Sequence, residues 1–128
     1  MPVNITSAGV FVFTTGLFFS VIAPAVTADL NDASHFVEFY QVGDEDCEDK
    51  GGARVFVKNL HKTQIIDLQL DRYFYDVRQA GRSMFPLKPE SSQALGCSRV
   101  FDAEQRWELI SAMFITESVV KERYGDYE

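Results

Sequence analysis

The chain is poor in the residue types on which most enzyme mechanisms depend. Its only cysteines are Cys47 and Cys97, its only histidines are His35 and His61, and it contains no CxxC, GxSxG, GxGxxG, P-loop or HExxH motif. Each of these motifs fixes the spacing that nucleophilic, metal or phosphate chemistry requires. The sequence therefore predicts a protein that is not an enzyme and that has no cofactor and no metal site.

Charged residues are absent from the first part of the chain, where no Asp, Glu, Lys or Arg precedes Asp29. Residues 1–28 are mainly apolar, contain Pro24 and end in small residues at Ala28, which is the layout of a secretory signal peptide cleaved after Ala28. The segment lacks the Lys or Arg that usually begins such a peptide. The alternative is an uncleaved membrane anchor, because residues 8–28 are long enough to span a bilayer.

Positive charge is also scarce, since the chain of 128 residues has a formal net charge of -7. Such a charge repels phosphate and disfavours binding to nucleic acid or to an anionic membrane surface. Residues 29–128 have the size of a single small domain, for which a covalent link matters. Cys47 and Cys97 are separated by 50 positions, and a disulfide between them would stabilise the fold by about 4 kcal/mol. The sequence thus predicts a secreted or periplasmic protein with a Cys47–Cys97 disulfide.

The clearest secondary-structure signal is the alternation of apolar and polar residues between positions 65 and 77, which is typical of a half-buried strand. One face carries the apolar side chains Ile66, Leu68, Leu70 and Phe74. We expect the other face, with Asp67, Gln69 and Asp71, to point to solvent.

Further strands are predicted at 35–41, 53–59, 83–87, 93–100 and 106–116. Segment 106–116 also fits a helix that begins after Asp102, but its aromatic and branched residues favour a strand. The short polar link 59–64 predicts that strand 53–59 pairs with the central strand. The tail beyond residue 116 is polar and fits either a short helix over 119–124 or frayed chain.

The predicted fold is all-β, a small antiparallel immunoglobulin-like sandwich of about six or seven strands. The Cys, Trp, Cys order of true immunoglobulin domains is absent, because Trp107 follows both cysteines. The likeness is therefore one of architecture.

Residues 43–52 form a strongly acidic segment that ends in two glycines. Closely spaced carboxylates suit calcium, but their spacing here does not match an EF-hand loop. We expect a solvated loop without metal. Its five carboxylates belong to Asp44, Glu45, Asp46, Glu48 and Asp49.

Tyrosine and arginine, which are enriched at protein interfaces, cluster around the end of the central strand. The cluster consists of Arg72, Tyr73, Tyr75, Arg78 and Arg82. We interpret it as a site for another protein of the cell envelope or exterior; cross-strand packing of the tyrosines under arginine stems is the structural alternative.

Three other functions remain open at this point. The first is a ligand-binding module for carbohydrate or calcium. The second is a membrane-anchored small subunit, which would contact the membrane only if residues 1–28 are retained. The third is a small hydrolase that uses paired carboxylates such as Asp67 and Asp71.

Overall fold

A computed structural model describes Gly16 and residues 29–126 of the chain. The predicted signal segment, apart from Gly16, lies outside the described residues. The strands of this part of the chain are β1 (Val37–Val42), β2 (Arg54–Asn59), β3 (Ile65–Phe74), β4 (Val77–Arg78), β5 (Ser83–Leu87), β6 (Ser92–Cys97), β7 (Arg99–Val100) and β8 (Ala103–Ile115). The helices are a 3-10 helix (Ser34–Phe36), α1 (Glu45–Asp49) and α2 (Glu117–Tyr124).

The strands form two antiparallel sheets, so the all-β class predicted from the sequence is confirmed. The smaller sheet has the order β1-β2-β6. In the larger sheet β3 lies between β8 on one side and β4 and β5 on the other, and β7 pairs with the beginning of β8. No helix among residues 29–126 is both long enough and apolar enough to cross a membrane.

The core is built on the apolar face of β3, as the alternation predicted. Ile66, Leu68 and Leu70 are completely buried and share a cluster with Val57 of β2. Burying each of these side chains contributes about 1.5–3 kcal/mol. Because Val57 belongs to the smaller sheet and the β3 residues to the larger one, this cluster joins the two sheets.

The polar face of β3 is not solvent-exposed, and that expectation was wrong. Asp67 and Asp71 are both buried. Helix α2 begins after Thr116, whose hydroxyl caps it. This helix covers Asp67, because Arg123 and Tyr124 of α2 both donate hydrogen bonds to its carboxylate. Two arginines from the segment after β3 cover Asp71, so both carboxylates have side-chain partners outside the strand.

The expected pairing of β2 with β3 was also wrong, because β2 pairs with β1 and β6. The link between β2 and β3 carries the chain from one sheet to the other. Asn59, which is completely buried, holds this crossing: its side-chain amide donates to the carbonyls of Gln64 and Leu87 at 2.8 and 3.0 Å, and its Oδ1 accepts from the N–H of His61 at 2.8 Å. The polar link therefore resembles a hairpin in sequence only.

The acidic segment is more ordered than the predicted loop, since it contains α1. Asp44 caps this helix by accepting hydrogen bonds from the N–H groups of Asp46 and Cys47, and it also accepts one from Arg54 Nε at 2.7 Å. Cys47 is buried and forms a disulfide with Cys97 of β6, which confirms the predicted pair. The link joins α1 to an edge of the smaller sheet.

Segment 106–116 is part of a strand, as predicted, because β8 pairs with β3 over ten residue pairs. Gln69 lies opposite Ser111 and Leu70 opposite Leu109, so Ile110 is the extra residue of a β-bulge. The first strand begins at Val37, later than predicted, because the preceding residues form the 3-10 helix.

Candidate functional site: aromatic side chains on two hairpin tips

The predicted Tyr/Arg cluster is divided by the structure. Arg78 and Arg82 each make two hydrogen bonds to the carboxylate of Asp71, at distances between 2.9 and 3.2 Å. These bonds hold the pKa of Asp71 well below its usual range. Both arginines therefore hold the segment after β3 against the strand, which is a structural role.

Arg72 and Tyr73 lie on opposite faces of β3. Arg72 donates to Gln105 Oε1 at 2.8 Å, and Gln105 in turn donates to the carbonyl of Cys97 at 2.8 Å. The ring of Tyr73 lies under Arg106, whose guanidinium carbon is 4.4 Å from the ring centre. The tyrosine-under-arginine packing considered as the alternative thus occurs at Tyr73, with an arginine from β8.

Tyr75 differs from Tyr73, the other aromatic member of the predicted cluster, because Tyr73 is half-buried whereas 66% of the surface of Tyr75 is exposed. Phe74 pairs with Val77, so Tyr75 and Asp76 form a two-residue hairpin turn. Their φ angles are 54° and 59°, as in a type I′ turn, which normally uses Asn-Gly or Asp-Gly. A bulky tyrosine is unusual in this left-handed backbone.

A second hairpin has the same peculiarity. Val100 pairs with Ala103, and the first residue of the turn between them, Phe101, has a φ of 56° and is 68% exposed. Its backbone N–H donates to the carbonyl of Lys50 at 2.9 Å, which fixes the turn against the end of α1. Here too an aspartate, Asp102, follows the aromatic residue.

The two turns lie at the same end of the larger sheet. The N–H of Tyr75 donates to the carbonyl of Glu104 at 3.0 Å. A cleft of about 220 Å³ lies between the turns and is lined by Tyr75, Asp76, Arg99, Asp102 and Glu104. We call Tyr75, Phe101 and the neighbouring Val77, which is 61% exposed, the tip patch.

Backbone strain accompanies both exposed rings of the tip patch, because Tyr75 and Phe101 have positive φ angles. A non-glycine residue held in a sparsely populated φ/ψ region costs about 1–3 kcal/mol, and such residues concentrate at functional sites. Glycine would fit position 75 or 101 with less strain and would not expose an aromatic ring. The exposed rings of Tyr75 and Phe101 therefore lie on backbone that lowers stability.

Charged groups surround the tip patch. Arg106 forms an ion pair with Asp76 at 2.8 Å and approaches Glu108 at 3.7 Å. The ion pair with Asp76 connects the first turn to β8. The exposed side chains between these charged groups are the aromatic rings of the tip patch. Apolar and aromatic groups with a polar rim are typical of a protein-binding surface.

Sequence reasoning identified Tyr75 but missed Phe101 and Val77. A signal for Phe101 was present, because an aromatic residue followed by aspartate occurs between two strands at both 75–76 and 101–102, where two-residue hairpin turns usually contain glycine. The exposure of Val77 has no comparable sequence signal, since an apolar residue after a turn is equally common in a buried strand.

In the part of the chain that the structure describes, no group of three or more His, Cys, Asp or Glu side chains is arranged to hold a metal ion.

No protein-family model matches the chain, and no curated protein or solved structure shows significant similarity to it.

Proposed function

We propose that this chain is a non-catalytic, exported interaction protein, and that the tip patch binds another protein of the cell envelope or exterior. The observation that carries the proposal is the display of Tyr75 and Phe101 on strained, positive-φ turns. Rigid aromatic side chains with few rotatable bonds are frequent energetic centres of interfaces. Two of them at one end of a sheet provide a compact docking point.

Export is supported by the buried Cys47–Cys97 disulfide, because disulfides persist in oxidising compartments. It is supported also by the charge-free residues 1–28, which we interpret as a signal peptide cleaved after Ala28. Residues 29–128 are then the mature domain, secreted or periplasmic. If residues 1–28 are retained, the same domain is held at the membrane as a small anchored subunit.

The architecture that we infer for this domain is a small immunoglobulin-like sandwich. Two antiparallel sheets with a shared core support it. The disulfide departs from the immunoglobulin pattern, because it joins α1 to β6 and does not link the two sheets.

The test is site-specific photo-crosslinking in the native host. A photoreactive phenylalanine analogue placed at position 75 or 101 of the full chain should give a discrete crosslinked product with an envelope or extracellular protein. The same analogue at Leu60, which follows the opposite end of β2, or at Met84 of β5, both exposed apolar positions outside the tip patch, should not.

Competition makes the test specific. Excess unlabelled wild-type chain should abolish the crosslink, and a Tyr75→Ser/Phe101→Ser variant should compete at least about tenfold less well, the loss typical of removing a central interface residue. A Leu60→Ser/Met84→Ser variant is the matched control and should compete like wild type. Equal competition by the two variants would refute the tip patch as the binding site.

A further inference from the structure

Strand β8 has one edge that is only partly paired. Near the beginning of the strand this edge is closed by Ser98, whose carbonyl accepts from the N–H of Gln105 at 2.8 Å. Near the end it is closed by the segment before the 3-10 helix, where the N–H of Ala33 donates to the carbonyl of Ala112 at 2.9 Å. Between these contacts no strand among the described residues lies beside residues 106–111 on this side.

The backbone of this gap presents hydrogen-bonding groups in strand geometry. Successive residues of a strand direct their N–H and C=O groups to opposite edges. The N–H of Gln105 points to the open edge, whereas the carbonyl of Glu104 points toward the β3 side, where it accepts from Tyr75. The N–H and C=O groups of Trp107 and Leu109 are therefore directed to the open edge, two residues apart.

Two clefts lie one after the other beside this edge, and we call the pair the groove. The first, of about 390 Å³, extends along β8 from Glu104 to Trp107 and reaches Phe39 of β1. The second, of about 350 Å³, extends from Leu109 to Met113. Both clefts follow the open edge, so the groove has the direction of an additional strand.

The smaller sheet shows the same gap from its own side. Phe39 lies opposite Val57 in the β1-β2 pair, so the two side chains share the inner face of that sheet. Val57 is completely buried, yet Phe39 is 37% exposed. The inner face at Phe39 is thus left uncovered at the position where a strand next to β8 would lie.

Charge gives the groove a direction. The cleft beside Leu109 to Met113 contains Asp29 and Asp32, and no Lys or Arg lines it. The cleft beside Trp107 contains Arg99 and Arg106 together with Glu104. A basic side chain of a ligand therefore suits the end beside Asp29 and Asp32, in keeping with the negative charge of the whole chain.

We propose that the open edge of β8 binds an extended peptide segment of a partner protein as an added strand. The segment pairs with the backbone of Trp107 and Leu109, places an apolar side chain against Trp107 and Phe39, and places a Lys or Arg beside Asp29 and Asp32. The gap of six residues, about 20 Å long, accommodates about five or six residues of extended chain.

A second folded copy of this chain does not fit the gap. Ser98 and Ala33 occupy the neighbouring strand position at its two ends. In an edge-to-edge dimer, the β8 strand of the second copy would have to lie about 4.8 Å from β8 of the first. The flanking segments at Ser98 and Ala33 already occupy that position, so the two copies would clash. Only a segment that is free of its own flanking strands enters, which favours a peptide. This site adjoins the tip patch, because Arg99 and Glu104 line both the first cleft and the cleft between the two turns. Neither the paired backbone of Trp107 and Leu109 nor the acidic end of the groove belongs to the tip patch.

The experiment uses the full chain and two fluorescent heptapeptides, Lys-Val-Thr-Val-Thr-Val-Thr and its reverse sequence. The two orders place the lysine at the acidic end for either strand direction. We expect one of them to bind with a Kd below about 1 mM. The same peptide N-methylated at alternate residues cannot form the ladder and should bind at least about tenfold more weakly, because several backbone hydrogen bonds are lost.

Protein variants test the charge arrangement. Asp29→Asn/Asp32→Asn removes both charges but keeps the Oδ1 atoms that accept from Asn31 and Ser34. It should weaken binding about three- to tenfold, as expected for two exposed ion pairs. Asp46→Asn/Asp49→Asn in α1 changes the net charge equally and should leave binding unchanged.

Each contrary outcome overturns the proposal. The first is that neither peptide binds at peptide concentrations of several millimolar, well above about 1 mM. The second is that the N-methylated peptide binds as tightly as the unmodified one, and the third is that the two Asp variants have equal effects. The fourth is a concentration-dependent dimer of the chain that the peptide displaces. The N-methyl comparison uses the unaltered protein and so decides the question even if a variant folds poorly. The Tyr75→Ser/Phe101→Ser variant should bind the peptide like wild type, which separates this site from the tip patch.

Discussion

At the scale of single residues, several contacts that hold the fold together are made by polar side chains whose partners the sequence does not reveal. Asp71 looks like a solubilising charge on an alternating strand, yet it accepts hydrogen bonds from both Arg78 and Arg82. Those arginines looked like free interface residues. Their pairing depends on the turn after β3, which brings side chains seven and eleven positions away onto one carboxylate.

Removal of the Asp71 charge should destabilise the fold and change its acid sensitivity. The pKa of Asp71 is lowered in the folded protein, so its contribution is complete above the unfolded pKa of about 4 and is lost as the pH falls further. Asp71→Asn should therefore lower the free energy of unfolding at pH 7 and flatten its decline below about pH 4. Urea unfolding at a series of pH values measures both effects. An unchanged acid limb would show that Asp71 is not its source.

Relief of strain at the tip patch should stabilise the protein. Phe101→Gly removes a bulky residue from positive φ, and we expect a gain of about 1 kcal/mol after the entropic cost of glycine. Met84→Gly, at an exposed position of β5 without positive φ, should instead destabilise by about 0.5–1 kcal/mol. Chemical denaturation of both variants provides the comparison; destabilisation by Phe101→Gly would argue against strain at this turn.

At the scale of elements, hydrophobic alternation was a good guide and pairing partners were not. Strands β2, β3 and β8 were predicted from apolar period and composition, because burial of one or both faces imposes that pattern locally. The pairing of β2 depends on Asn59 and its contacts with Gln64 and Leu87, which are properties of the folded chain. Helix α1 was missed because its cap and its acidic turn read as a solvated loop.

The attachment of helix α2 to β3 should weaken at high pH, because one of its two hydrogen bonds to Asp67 comes from the phenol of Tyr124. Burial and the hydrogen bond to Asp67 raise the pKa of Tyr124 to about 12. A raised pKa means that the stabilisation is complete below the unfolded value near 10 and is lost as the pH rises from there through about 12. Ultraviolet titration should show one tyrosine ionising late, and Tyr124→Phe should remove that step. A wild-type titration without a late tyrosine would contradict this attachment.

At the scale of the whole molecule, a small domain with two sheets depends on a covalent link. Cys47→Ser/Cys97→Ser should lose about 4 kcal/mol of stability, from the unfolded-chain entropy that a link across 50 positions removes. Reduction of the wild-type protein should have a similar effect, and denaturation with and without reductant measures it. A loss below about 1 kcal/mol would mean that the reduced unfolded chain keeps much of this constraint.

The central claim is that Tyr75 and Phe101 are displayed for a partner, at a cost in stability. The decisive measurement is the yield of crosslinked partner with the photoreactive analogue at position 75. This yield is compared between chains with Phe101 and with the Phe101→Gly substitution. We expect capture to fall at least about tenfold, in a protein that is more stable than wild type. Undiminished capture by the stabilised variant would contradict it.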